Sequence, residues 1–137
     1  MCPLGIPRGR GDGPRERKAE MAKRNYDCHY GCPVEATLDV IGGKWKGVIL
    51  YHLCVRKRRY NELRRLMPDV TQRMLTLQLR ELERDDVVLR SVFPEVPPRV
   101  EYELTQFGES LRPVIHLMRD WGAQWKNRVV KTRQMAA

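Results

Sequence analysis

The stretch "DVTQRMLTLQLREL", residues 69–82, decides how the rest of the chain is read. Leu75, Leu79 and Leu82 recur at spacings of four and three, which stacks them on one face of a helix. Thr71 stands where an N-cap is wanted, and Val70 sits one residue ahead of it, positioned to staple onto Leu75. At 100° per residue, Gln72, Arg73, Thr76 and Arg80 gather on a flank away from the leucines. A helix that buries one edge and offers guanidiniums, an amide and a hydroxyl on another has the donors to meet a polyanion with hydrogen-bonding edges.

Outward from this helix the charge is uneven. The 137 residues include 26 Lys and Arg against 17 Asp and Glu, a formal net charge of +9. Residues 56–90 hold ten basic and six acidic side chains, whereas residues 27–55 hold two and three. Such an excess favours nucleic acid or an acidic lipid surface. No run approaches the ~20 apolar residues of a membrane span, and the N-terminus lacks the apolar core of a secretory signal. Four cysteines, Cys2, Cys28, Cys32 and Cys54, are too few and too irregular for a disulfide framework. A cytoplasmic protein with reduced thiols is expected, without membrane attachment.

Residues 1–25 are rich in Gly, Pro and Arg and show no apolar period, so a disordered basic tail is expected there. Met21 offers an alternative start. One domain is expected over 26–130, with a flexible tail at 131–137. Val34, Leu38 and Ile41 form a first helical stripe, broken by Gly42 and Gly43. Trp45, Val48, Ile49, His52 and Leu53 form a second. A basic loop at 56–59 leads to a short helix marked by Tyr60, Leu63, Leu66 and Met67 and stopped by Pro68.

Beyond Asp86 the period changes to two. Val88, Arg90 and Val92 share one face of "VLRSVF", and Val100, Tyr102 and Leu104 share one face of "VEYEL". The proline-rich link "PEVPPR" stiffens the tip between them. A long helix closes the chain with Phe107, Leu111, Ile115, Met118, Trp121 and Trp125 near a 3.6 spacing, and Pro113 is expected to kink it. The order predicts a mainly α fold with a small β-hairpin wing, a winged helix-turn-helix. The second helix of such a motif lies in the major groove of DNA.

"CPVEATLDVIGGKW", "YNELRRLMPDVTQRMLTLQLRELERD", "FPEVPPRVEYELTQFGESL" and "WGAQW" resemble the HxlR-type winged-helix transcriptional regulators, relatives of the MarR group. The resemblance runs from about Cys32 to Trp125. It implies a dimeric, sequence-specific DNA-binding regulator, paired through the long terminal helix (Leu111, Ile115, Met118, Trp121 and Trp125) and the region ahead of the first helix. It also implies that a cysteine at the Cys32 position senses oxidants or electrophiles in several members. Two positions depart from the pattern. Tyr60 stands where Phe is usual, and Asp86 stands where Gly is usual at the end of the recognition helix. Gly accepts a left-handed backbone there, which costs Asp about 1 kcal/mol.

The expected DNA contacts divide by place. Gln72, Arg73 and Thr76 lie near the recognition-helix start with Thr71, suited to base edges or to phosphates. Arg80, further along, suits a phosphate, as do Arg58 and Arg59 before the short helix. Arg99 at the wing suits the minor groove or the backbone. Cys32 precedes Pro33, the favoured first helical residue, so its sulfur meets a helix dipole that favours thiolate, with Glu35 working against it. Cys28, four residues earlier, is placed to resolve an oxidised Cys32. Cys54 sits on the apolar second helix and is expected in the core. Cys28, His29 and Cys32 offer three zinc ligands but no familiar fourth, so no metal and no cofactor are expected. Two other classes remain: a nucleic-acid binder without sequence preference, and a thiol-based redox protein. The latter lacks a CxxC pair and a complete catalytic constellation, so no enzyme is expected.

Overall fold

The computed structural model describes residues 32–136. The expected N-terminal tail and Cys28 lie outside the described residues. The chain divides into two units after Gly43. In the first, α1 spans Pro33–Ile41, with Cys32 in extended conformation as its N-cap and Pro33 at the first position. The glycine pair ends it, and Gly43 takes a left-handed backbone (φ 91°). Of the expected stripe only Ile41 is buried; Val34 and Leu38 are more than half exposed.

The second unit runs α2 (Lys46–Val55), β1 (Arg58–Arg59), α3 (Tyr60–Leu66), α4 (Gln72–Arg84), β2 (Val88–Phe93), β3 (Arg99–Leu104), α5 (Gln106–Glu109) and α6 (Arg112–Ala136). This is the expected order with β1 and α5 added, and the winged helix-turn-helix is formed by α3, α4 and the β2–β3 hairpin. Antiparallel pairing sets Val88 against Leu104, Arg90 against Tyr102 and Val92 against Val100, so the two expected hairpin faces coincide. The third strand, β1, was expected to be loop. It pairs with the other edge of β3, Arg58 opposite Tyr102 and Arg59 opposite Glu101, giving the order β1-β3-β2. Two arginines carry no alternation, so nothing in their spacing announces a strand.

The core is built from Ile49, Leu50, Leu53, Leu63, Met67, Leu75, Leu79, Leu82, Val87, Val88, Tyr102 and Ile115. On α2 the buried line is Lys46, Ile49, Leu50, Leu53 and Cys54, one residue on from the expected line of Trp45, Val48, Ile49, His52 and Leu53. The shift has a physical cause. Lys46 occupies an inward position because its ammonium meets the Glu81 carboxylate at 2.6 Å, tying α2 to α4. A lysine in the pattern hides the true stripe from a count of apolar residues.

The exit from α4 solves the Asp86 problem locally. Asp86 adopts φ 61°, its N–H donates to the Glu83 carbonyl, and the Val87 N–H donates to the Leu82 carbonyl, both at 3.0 Å. That is a Schellman ending with Asp in the place of Gly. Thr105 then locks the turn, its hydroxyl donating to the Asp86 carbonyl at 2.6 Å. Gly108 follows where a Cβ would lie 2.1 Å from the Val87 carbonyl oxygen, a contact only glycine permits.

The long terminal helix differs in four ways from expectation. Pro113 does not kink it but sits in its first turn, where a missing N–H costs nothing, and Phe107 belongs to the separate α5. Residues 131–136, expected as a flexible tail, continue the helix. Ile115 is buried within the subunit, against the expectation that it forms an interface. Leu117, Met118, Trp121, Trp125 and Val130 remain exposed. Among the described residues no helix is long and apolar enough to cross a membrane.

Candidate nucleic-acid interface

Three leucines fix α4 in place. Leu75, Leu79 and Leu82 are each at most 1% exposed, and each contributes roughly 1.5–3 kcal/mol by leaving water. The Thr71 hydroxyl accepts the Met74 N–H at 3.1 Å, so this residue, expected among the DNA contacts, caps the helix. With the ridge pinned, the opposite face of the helix carries Arg73, Leu77, Arg80 and Arg84, all exposed. The side chains of Arg73 and Arg80 make no ion pair or hydrogen bond among the described residues.

The flank read from sequence is only partly free. Gln72 is exposed, but Thr76 is half-buried and its Oγ1 lies 3.0 Å from the Tyr60 hydroxyl. Tyr60 also donates to the Gln72 carbonyl at 3.3 Å. A phenol has one proton, so donating to that carbonyl leaves it accepting from Thr76. The Tyr60 departure therefore places a hydroxyl between α3 and the first turn of α4. Tyr60 covers the Thr76 side and turns the open face toward Leu77 and Arg84, residues the sequence reading passed over. Measuring 180° from the leucine ridge would have found both.

Basic residues ahead of α4 are dense: six of the twelve between 56 and 67 are Lys or Arg, against one Glu. They do not all point outward. Arg58 was expected at a phosphate, yet its side chain is 13% exposed; Nε donates to the His52 carbonyl at 3.3 Å and Nη1 lies 3.7 Å from Glu62. Pairing of β1 with β3 turns it inward. Arg59 stays exposed, its N–H donating to Glu62 Oε1 at 3.3 Å. A hydrogen bond from Arg56 at 2.5 Å holds the Glu62 carboxyl below the usual carboxylate range. Arg56, Lys57, Arg58, Arg59 and Arg65, with Glu62 and Glu101, line an open cleft of about 350 Å³.

The wing contrasts with this. Arg99, expected to reach out from it, is folded back: its guanidinium lies 3.3 Å from Glu95, 3.5 Å from Glu101 and 4.2 Å from the Phe93 ring centre. From Val88 to Leu104 there are two arginines and three glutamates. The Tyr102 phenol is buried, which raises its pKa, with Arg90 beside it acting the other way.

Among the described cysteines, Cys32 is exposed and Cys54 buried. Burial pushes the Cys54 thiol up, consistent with a core position. Cys32 caps α1 through its backbone, its carbonyl accepting the Glu35 N–H at 2.9 Å. No group of three or more His, Cys, Asp or Glu able to hold a metal occurs among the described residues, and both Cys28 and His29 lie outside them.

A family model described as HxlR-like helix-turn-helix matches residues 40–130. The HTH-type transcriptional regulator YdeP of Bacillus subtilis (strain 168) is 64% identical over 101 residues, 74% of this chain and 79% of YdeP. Among solved structures, the redox regulator HypR in its oxidized form is 60% identical at a TM-score of 0.66, covering 68% of this chain and 96% of HypR. Its reduced form matches at 55% identity and a TM-score of 0.68, over 73% and 99%.

Proposed function

The chain belongs to the HxlR-like helix-turn-helix family, and on that premise we propose that it is a transcriptional regulator that binds duplex DNA as a homodimer. One observation carries the reading: Arg73 and Arg80, without partners among the described residues, stand on the open face of a helix locked to the core by three buried leucines. Arg73 and Gln72, near the helix start, meet base edges in the major groove; Arg80 meets a phosphate or a further base. Arg59 and its basic neighbours on β1 and α3 hold phosphates, as the first helix of the motif crosses the backbone. Arg58 and Arg99 position these elements from within, and Thr71 and Thr76 shape the start of α4.

The dimer forms through the exposed apolar residues of α6, Met118, Trp121 and Trp125, with half-buried Leu111 beside the core. Its two-fold axis matches a pseudo-palindromic operator. Oxidation or alkylation of the exposed Cys32 thiol, with Cys28 as the second thiol, shifts the spacing of the two reading helices. Support for this comes from the likeness to HypR, described as a redox regulator.

Footprinting on the DNA upstream of the chain's own gene tests the reading. Two protected half-sites are expected, about 10 base pairs or a multiple apart, with scrambled duplex and RNA bound far more weakly. Equal affinity for all three overturns it. Repeating the footprint with an oxidant should change occupancy in the parent protein and not in Cys32→Ser; a response retained in that variant removes the sensor role.

A further inference from the structure

Leu77 is 46% exposed at the centre of the open face of α4, one turn from Arg73 on one side and from Arg80 on the other. A single exposed leucine on a protein surface is ordinary. This one differs by its place, because docking α4 as proposed above takes Leu77 out of water together with the arginines that flank it. It then meets either hydrogen-bonding edges that it cannot satisfy or an apolar group. In the major groove the apolar group offered by a base pair is the 5-methyl of thymine.

Resting on that reading of α4, we propose that Leu77 is a specificity-determining residue that packs against a thymine methyl. The spacing locates the base. A helix rises about 1.5 Å per residue, so Leu77 lies about 6 Å along the axis from Arg73 and about 4.5 Å from Arg80. Base pairs repeat every ~3.4 Å. The thymine therefore lies within about two base pairs of the position read by Arg73, between it and the position or phosphate met by Arg80. Thr76 is half-buried with its hydroxyl at Tyr60, and Met74, one turn earlier, is less exposed and has its sulfur accepting from the Gln78 amide at 3.3 Å, which leaves Leu77 as the most exposed apolar side chain on this face.

The test uses the full-length dimer and the footprinted duplex. Each thymine is replaced in turn by deoxyuridine, which removes the methyl and leaves every hydrogen-bonding edge unchanged. One position in each half-site should lower affinity about fourfold, the value of one buried methyl-sized group. Leu77→Ala should bind the unmodified duplex more weakly by at least that factor and then be indifferent to the same replacement. Its melting temperature should match the parent, since the side chain is outside the core.

A flat deoxyuridine series overturns the proposal, and so does a sensitivity that persists undiminished in Leu77→Ala. Arg73→Ala on the same duplex separates two failures. If it weakens binding while the deoxyuridine series is flat, only the methyl contact is wrong. If Arg73→Ala also binds normally, α4 does not read the duplex, and both readings fall together.

Discussion

The recognition helix α4 and the β2–β3 wing both carry arginines, and sequence reasoning gave both a place on DNA. Their surroundings differ. Arg73 and Arg80 project from the open face of their helix with no ion pair among the described residues, whereas Arg99 lies within 3.5 Å of two glutamate side chains and over Phe93. A guanidinium already neutralised must lose those partners before it meets a phosphate, which cancels much of the gain. Charge counted along a chain is not charge available at a surface.

The largest expected effect separates the two regions by their anchoring. Leu79→Ala should lower stability by ~2–5 kcal/mol in thermal or urea denaturation, because Leu79 is 1% exposed. Val92→Ala on the half-exposed side of the wing should stay within about 0.5 kcal/mol. Comparable losses at both would break the distinction. Next, Arg73→Ala should weaken operator binding by roughly 1–3 kcal/mol and relax preference at one base pair. Arg99→Ala should instead leave operator affinity near that of the parent and cost the wing about 1 kcal/mol or less. The reverse ranking, measured by fluorescence anisotropy, would return the wing to the interface.

Two tyrosines sharpen the same contrast. Tyr60→Phe removes the hydroxyl bridging α3 to Gln72 and Thr76, and should cost ~0.5–1.5 kcal/mol. Part of that loss should appear as weaker operator binding, because the start of α4 loosens. Tyr102→Phe should lower the melting temperature without touching affinity for DNA. The smallest effect concerns His52 on α2, whose carbonyl holds Arg58 of the edge strand. Burial, and then Arg58, hold the His52 pKa below its ordinary value. The unfolded chain therefore takes up this proton at a higher pH than the folded one, and stability should fall as pH drops below ~6.5. His52→Gln should flatten that part of the stability curve.

How far the site was legible depended on whether a residue's role was local. Thr71 as cap and the leucine ridge follow from spacing along one helix, and both stand. The Asp86 departure was legible as a demand for a left-handed residue, and the structure meets it with φ 61°. Lys46 was missed because its burial depends on Glu81, 35 positions later in the chain. β1 was missed because a two-residue strand exists only through β3. Leu77 was passed over because an exposed leucine carries no polar signal until the face it shares is known.

By itself the sequence determined the order of the main helices and the hairpin, the helix that anchors through its leucines, and the stiffened tip, since periodicity, capping and turn chemistry act between near neighbours. Only the tertiary structure decided which arginines are free. Arg58, Arg73, Arg80 and Arg99 are chemically the same side chain, and what sets them apart is a carboxylate, a carbonyl or an aromatic ring brought alongside two of them by strand pairing and helix packing.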